Sequence, residues 1–279
     1  MRLPQQTGAQ PGAADEDPKE AFQLPKFAAN LSMLFTEVPF LDRFAAASKA
    51  GFKYVEFMSP YEYKQEELLG RIKEAGVQVI LINVPSGNWA GGDRGIGADP
   101  ARKEEFRAGI KEAVTWGRLL GVPRMNILGG KVNPQYTPEE HWQTLVENVR
   151  YTADEFAKEG FEVVVEPINH FDIPGVFLRT VKQAVDLIAE VGRPNVKIQF
   201  DVYHVQREEG NITPTLREHF DKIGHIQVAD NPGRHQPGTG EINYPFIFAE
   251  LDRLGYTGYV SGEYIPEPST VESLAWIKG

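Results

Sequence analysis

A (β/α)8 barrel is the fold class this sequence predicts, and three observations carry the prediction. Eight short β-type runs alternate with amphipathic helical stretches from Lys26 onward, and alternation of that regularity gives a parallel sheet. The first strand-to-helix turn is Asn30-Leu31-Ser32-Met33, without the glycines that an open dinucleotide-binding sheet places there. Eight units within 279 residues also match the size, roughly 250 residues, at which such a sheet closes on itself.

Taken in order, Phe27-Ala28-Ala29 runs into Asn30, and Phe40, Phe44 and Ala47 then recur at helical spacing until Gly51. Lys53-Tyr54-Val55 runs into Glu56, and Val77 to Ile82 into Asn83. Asp99-Pro100 sets a cap before a first-turn proline, with Phe106, Ile110, Ala113 and Val114 following on one face. Arg124 to Leu128, which contains Asn126, leads to two glycines and Lys131. Thr137-Pro138-Glu139-Glu140 is a capping box, and its helix carries Leu145, Val149, Ala153 and Phe156 inward. Phe161 to Val165 runs into Glu166. Thr180 opens a helix with Ala184, Leu187, Ile188 and Val191 on its inner face, stopped by Gly192 and Pro194. Val196 to Phe200 runs into Asp201, Ile223 to Ile226 into Gln227, and Tyr259 to Gly262 into Glu263. A last helix carries Leu274 and Ile277.

Residues 1–25 are rich in Gln, Gly, Ala, Pro and acids and lack the basic start and apolar run of a secretory signal. They read as a flexible tail, with residues 26–279 forming a single barrel domain. Cysteine is absent, which excludes disulfides, zinc–thiolate sites, iron–sulfur clusters and cysteine nucleophiles. A reducing, cytoplasmic setting is the expectation. The net charge of -10 repels a phosphate backbone, so no nucleic-acid partner is expected. No run of about 18 apolar residues marks a membrane helix. Self-association is compatible with this reading, although no segment identifies an interface.

Active sites of such barrels lie at the C-terminal ends of the strands. The strand-closing residues are Asn30, Glu56, Asn83, Asn126, Glu166, Asp201, Gln227 and Glu263, and all eight carry a carbonyl or carboxylate oxygen. One carboxylate at a strand end is usually a helix cap or a solvated loop residue. Eight oxygen-bearing side chains on one ring are harder to explain that way. Crowded carboxylates repel one another, and a divalent cation relieves the conflict. Glu166, Asp201, Glu263 and the neutral oxygen of Gln227 form a hard, all-oxygen set that suits Mg2+ or Mn2+, with structural Ca2+ as the bland alternative. His170 and His204 lie near the same rim. His141, His219, His225 and His235 read as surface, packing or loop residues. The loop from Asn231 to Glu241 offers Arg234 and His235 to an anion, and the loop from Pro85 to Gly95 offers Trp89 and Arg94 as a lid; each is equally readable as a passive turn.

Six stretches make the chain similar to a known family: FAANLSMLF (Phe27 to Phe35), YVEFMSPY (Tyr54 to Tyr61), EPINHFDIPG (Glu166 to Gly175), IQFDVYHVQ (Ile198 to Gln206), GHIQVADNPGRHQPGTGEINY (Gly224 to Tyr244) and GEY (Gly262 to Tyr264). Together they resemble the hydroxypyruvate isomerases, a family that includes 2-oxo-tetronate isomerases, within the xylose isomerase-like barrels. The resemblance implies that Glu166, Asp201, Gln227 and Glu263 hold the metal and that Glu166 and Glu263 are the acid/base pair. It implies an aldose–ketose-type isomerisation of a small α-hydroxycarbonyl acid through an enediolate, with no nucleotide cofactor. Glu56, Asn83, Lys131, His170, His204 and Arg234 are the candidate substrate contacts. Related ketose 3-epimerases usually place histidine where Gln227 stands, so epimerisation of free sugars is the rival reading. A multi-metal phosphodiesterase, or a barrel that only binds sugars, is a more distant one.

Overall fold

The strand runs marked out by the sequence all pair in parallel with their chain neighbours. The computed structural model describes residues 26–278, so the tail expected over residues 1–25 lies outside the described residues. Strands β1 (Phe27–Asn30), β2 (Tyr54–Glu56), β3 (Gln78–Asn83), β4 (Arg124–Ile127), β5 (Glu162–Val165), β6 (Val196–Asp201), β7 (Ile223–Val228) and β8 (Val260–Gly262) follow one another in order around a closed barrel. The ring shuts where Phe27 to Ala29 pair with Val260 to Gly262. The expected (β/α)8 barrel is therefore the fold observed.

The main helices are α1 (Phe40–Lys49), α2 (Gln65–Ala75), α3 (Lys103–Leu120), α4 (Pro138–Ala157) and α5 (Val181–Val191). They are followed by α6 (Val202–Glu208), α7 (Ile212–Glu218), α8 (Tyr244–Arg253), α9 (Thr270–Ser273) and α10 (Ala275–Lys278). The capping boxes at Thr137 and Thr180 both form, closed by Glu140 and Gln183. Asp99 caps a short 3-10 turn, Pro100–Arg102, that leads into α3. The C-terminal segment departs from expectation. Instead of one helix there are two short ones on either side of Leu274, which is buried while Ile277 stays largely exposed. Local bonds set the break: Ser269 caps α9, and the Ser273 hydroxyl turns back to the Thr270 carbonyl and the Tyr264 hydroxyl.

The principal core lies between strands and helices. A second, smaller cluster of Ala28, Ile80, Leu81 and Val164 packs against Tyr54 and Tyr259, whose rings meet edge to face at 5.0 Å. Beyond it the buried residues become polar: Asn30, Glu56, Gln199, His225 and Gln227 are all buried. The strand register shifts at two places beside this layer, between Val55 and Glu56 and between Ile198 and Gln199. Such irregularities re-aim side chains.

Above the barrel, antiparallel bridges Gly95–Gly129 and Lys131–Val176 stitch together the loops after β3, β4 and β5. Gly130 has φ +87°, and a Cβ there would lie 2.1 Å from the Gly95 carbonyl oxygen. Both the backbone conformation and the contact exclude a side chain. Gly130→Ala is expected to lower unfolding stability by roughly 2–3 kcal/mol, from the strain and overpacking together. Urea denaturation measures this, and a midpoint equal to the wild type's would show that the stitch tolerates movement.

Candidate active site

Each strand-end residue reaches its position through the barrel's alternation of side chains. Asn30, Glu56, Asn83 and Asp201 are the last residues of their strands; Asn126 and Gln227 are the last but one. Glu166 and Glu263 come directly after β5 and β8. All eight are buried. The contacts of seven of them, all but Asn83, divide them into two layers.

The outer layer contains Glu166, Asp201 and Glu263. His204, one turn along α6 from Asp201, points its Nε2 at both Asp201 (3.5 Å) and Glu166 (3.7 Å). Glu166, Asp201 and His204 each offer an atom lying within 4.8 Å of the others, a grouping able to hold a metal ion. Asp201 also accepts a bond from the Tyr203 amide and so caps α6; the cap and the ring member are one residue. Arg234 enters from the loop after β7. Its Nη2 lies 2.5 Å from Glu263 Oε2 and 3.4 Å from Asp201 Oδ2, and its guanidinium rests 5.1 Å from the Tyr203 ring centre. Asn126 donates to Glu166 at 2.7 Å.

The inner layer binds these groups from below. Asn30 Nδ2 donates to both Glu56 Oε1 and Glu263 Oε1, each at 3.0 Å. Glu56 further accepts from Gln227 and pairs with His225, both at 2.7 Å. Gln227 accepts from Gln199 at 2.7 Å. Gln227 thus uses both ends of its amide on protein partners, and a cation taking its oxygen would have to displace Gln199. Glu56 likewise has its bonds inside the barrel. Gln199 and His225 were not singled out from the sequence as site residues. The available signal was the two-residue strand period, which turns Gln199 the same way as Asp201 and His225 the same way as Gln227.

Three other candidates sit apart. His170 Nδ1 lies 2.7 Å from Glu208, which is also paired with Arg179, and the His170 ring is tilted against Phe171. Lys131 is exposed, with its ammonium on the Gly92 carbonyl at 3.1 Å. Asn83 is buried, and its backbone carbonyl accepts from the Tyr61 hydroxyl. In the loop after β3, Arg94 stacks over Trp89 at 4.4 Å and donates to the Trp89 carbonyl, so the loop packs on itself. His235 turns outward to the Ile265 carbonyl.

Charge explains the behaviour of the ring. Burial, then the neighbouring charge of Asp201, pushes Glu166 up to about 8, against the pull of Arg234, Asn126 and Gln199. Burial also raises Asp201, and it lifts Glu263 well above the ordinary carboxylate range despite Arg234. His204 is driven well below its usual value by burial and by Arg234, so the ring is neutral. Glu56 behaves oppositely: burial raises it, but His225, Gln227 and Asn30 outweigh that and hold it low.

The outer layer fits a divalent cation. Three buried carboxylates face a neutral imidazole and one guanidinium, leaving an excess of negative charge. Two acceptors beside them, Asn126 Oδ1 and Gln199 Oε1, are buried without a partner among the described residues. Hard oxygen donors of this kind suit Mg2+ or Mn2+. His204 adjoins the set, but its Nδ1 lies 2.6 Å from the Asn169 amide nitrogen. That donor puts the ring's own proton on Nε2, facing the carboxylates, and ligation through Nε2 needs the opposite tautomer.

The comparisons with known proteins agree with this fold. A family profile described as xylose isomerase-like TIM barrel matches residues 44–279. Hydroxypyruvate isomerase of Escherichia coli K12 is 48% identical over 252 residues, covering 90% of this chain and 98% of its own. A 2-oxo-tetronate isomerase of Pectobacterium atrosepticum is 44% identical over 253 residues, covering 91% and 97%. Among solved structures, an AP endonuclease, family 2, from Brucella melitensis superimposes with a TM-score of 0.88 at 39% identity, covering 91% of this chain and 98% of its own.

Glu166 generates a prediction about stability. Its pKa is about 8 in the folded protein and near the usual 4.3 when unfolded. Between those values the folded state binds the extra proton, so the metal-free protein loses stability as pH rises from about 4.3 to about 8. The melting temperature of chelator-treated protein should fall across that window, and Glu166→Gln should flatten the fall. Mn2+ should raise the melting temperature more at pH 8 than at pH 5.5. A pH-independent melting temperature would remove the buried-charge account.

Proposed function

The chain belongs to the xylose isomerase-like TIM barrels, within the hydroxypyruvate isomerase and 2-oxo-tetronate isomerase family, and from that premise we propose that it interconverts a small α-hydroxy-keto acid and the isomer in which the carbonyl and hydroxyl carbons have changed places. Its relatives' names make it an isomerase. Hydroxypyruvate is the simplest substrate of the class, and tartronate semialdehyde its product. The observation that carries the mechanism is the pair Glu166 and Glu263. Both are buried on one ring, after β5 and β8, where the charge of Glu166 is felt at Glu263, and burial lifts the proton affinity of both.

In this reading one glutamate takes a proton from C3, the carbon bearing the hydroxyl. The electrons move into the C2–C3 bond, and negative charge collects on the C2 oxygen. The other glutamate delivers a proton to C2, and the hydroxyl proton passes from the C3 oxygen to the C2 oxygen, so the atoms balance without a redox cofactor. Carboxylates serve as acid and base near neutral pH when burial brings their pKa values towards it. Asn30 and Asn126 hold the two glutamates by one bond each and fix where their oxygens point. His204, kept neutral, can donate to a substrate oxygen without adding charge. Arg234, the cation standing within the ring, is the contact for the substrate's carboxylate. Lys131 stands on the rim, with its bond to a loop carbonyl.

We assign Asp201 and Glu166 as the principal holders of a divalent cation, Mg2+ or Mn2+, with Glu263 and His204 adjoining. When bound, such an ion would draw charge from the substrate's carbonyl oxygen and lower the cost of the enediolate. Glu56 and Gln227 support the ring from below. Epimerisation of free ketoses is the second reading, since it uses the same proton transfer; the half-buried arginine beside the carboxylates favours an acid instead.

The test is deuterium incorporation followed by NMR, with hydroxypyruvate, 2-oxo-tetronates and free ketoses each incubated in D2O. Exchange is expected on the acids. Glu166→Gln and Glu263→Gln should each slow it by about 10²–10⁴-fold, the usual contribution of a general acid or base. Exchange confined to neutral ketoses would defeat the sugar-acid reading. Glutamine variants as active as the wild type would defeat the two-glutamate mechanism.

A further inference from the structure

Both oxygens of Glu263 already accept hydrogen bonds. Oε1 is held by Asn30 at 3.0 Å, and Oε2 by Arg234 at 2.5 Å. A carboxylate capped in this way is poorly placed to take a proton from carbon. The Asn30 bond comes from the barrel wall. The Arg234 bond comes from a loop residue that keeps about a fifth of its side chain exposed. The guanidinium is also incompletely used: Nη2 makes both carboxylate contacts, while Nε is buried without a partner among the described residues.

We propose that Arg234 is an exchangeable cap on Glu263, lifted when a substrate's carboxylate takes over the guanidinium, so that only an acid substrate uncovers the base. The proposal rests on the isomerase reading above and adds to it a source of selectivity for acids over neutral ketoses. A planar guanidinium prefers a fork-to-fork pair with one carboxylate over a single nitrogen shared between two. The substrate's carboxylate offers that pair. The Tyr203 ring lies alongside the guanidinium as a face over which it can shift, with cation–π contact retained.

The backbone that presents Arg234 is fixed, which confines the movement to the side chain. Asp230, fully buried, accepts from the amides of Asn231, Gly238 and Ile242 and closes the loop on itself. The Asp230 amide donates to the His235 carbonyl, and the Arg234 carbonyl accepts from the Ile265 amide at 2.7 Å. Arg234 itself has φ +58°, a left-handed conformation that a non-glycine residue keeps only where its surroundings impose it.

Dividing the substrate into two pieces tests the cap in the wild-type protein. Glycolaldehyde retains the hydroxyl and carbonyl of hydroxypyruvate, and formate supplies the missing carboxylate. Deuterium incorporation into glycolaldehyde is measured by NMR with and without formate, with chloride added to equal ionic strength. The expected result is slow exchange that formate accelerates about tenfold or more. In Arg234→Gln, glycolaldehyde should exchange faster than in wild type without formate, and formate should have no effect. Hydroxypyruvate exchange in that variant should fall by roughly tenfold to a hundredfold, the loss of a charge-assisted contact. Arg234→Lys should recover part of the formate response. Normal exchange on hydroxypyruvate with no formate effect on glycolaldehyde overturns the cap and leaves the isomerase reading standing. A wild-type protein that exchanges neither compound overturns both.

Discussion

An excess of negative charge, buried at one end of the barrel, is the constraint on which the rest of the site depends. Glu166, Asp201 and Glu263 are all buried, and Arg234 is the charged group set among them. Burying an unpaired carboxylate is costly, and the usual outcome is a raised pKa or a recruited cation. Both outcomes are chemically useful here. A raised pKa makes a glutamate able to hold and release a proton near neutral pH, and an unbalanced cluster attracts a divalent ion or a cationic side chain. The same physics that makes this end of the barrel unfavourable for folding is what the proposed proton transfer draws on.

Such a cluster keeps its shape only if something neutral holds it. The inner layer does this with amides. Asn30 ties Glu263 to Glu56, Asn126 ties down Glu166, and Gln199 and Gln227 pass a donor–acceptor chain on to Glu56. An amide carries donor and acceptor together, so it can link groups without adding charge to a region that already has too much. Glu56 is the carboxylate of this layer. It stays ionised because His225, Gln227 and Asn30 all bond to it, which gives the barrel interior a fixed anion beneath the ring. Fixed negative charge below is one of the forces that keep Glu263 high. Support and reactivity are therefore joined through Asn30.

Much of the arrangement was legible in the sequence, because the barrel rule converts strand ends into one candidate site. Strand ends can be found from hydrophobic runs, and all eight closing residues carry oxygen. The capping boxes at Thr137 and Thr180 were equally readable, since they depend on contacts within one turn. What the sequence withheld was contact between distant strands. Nothing near Gln227 shows that its oxygen meets Gln199 or that its amide meets Glu56, 171 positions away. Nothing near His170 shows that it turns to Glu208 instead of to Glu166. The split of the C-terminal helix at Leu274 was hidden for another reason: it is set by short-range side-chain bonds of Ser269, Ser273 and Tyr264 that leave no mark in the apolar pattern.

Gln227 shows how a structure alters the grounds of an inference. Read as a strand-end residue, it is a neutral metal ligand whose replacement of histidine separates acid isomerases from sugar epimerases. In the barrel it is a relay, accepting from Gln199 and donating to Glu56. A neutral histidine also has one donor and one acceptor, but on a rigid ring, and it can become charged. A charge there would draw on Glu56, whose anion is now shared among Asn30, His225 and Gln227, and would loosen Asn30's hold on Glu263. An amide that cannot be protonated near neutral pH leaves that balance untouched. In the proposed reading the bias towards a carboxylate-bearing substrate rests on Arg234 more than on Gln227: Gln227 adds no charge to the layer beneath the ring, and Arg234 is the cation offered to the acid.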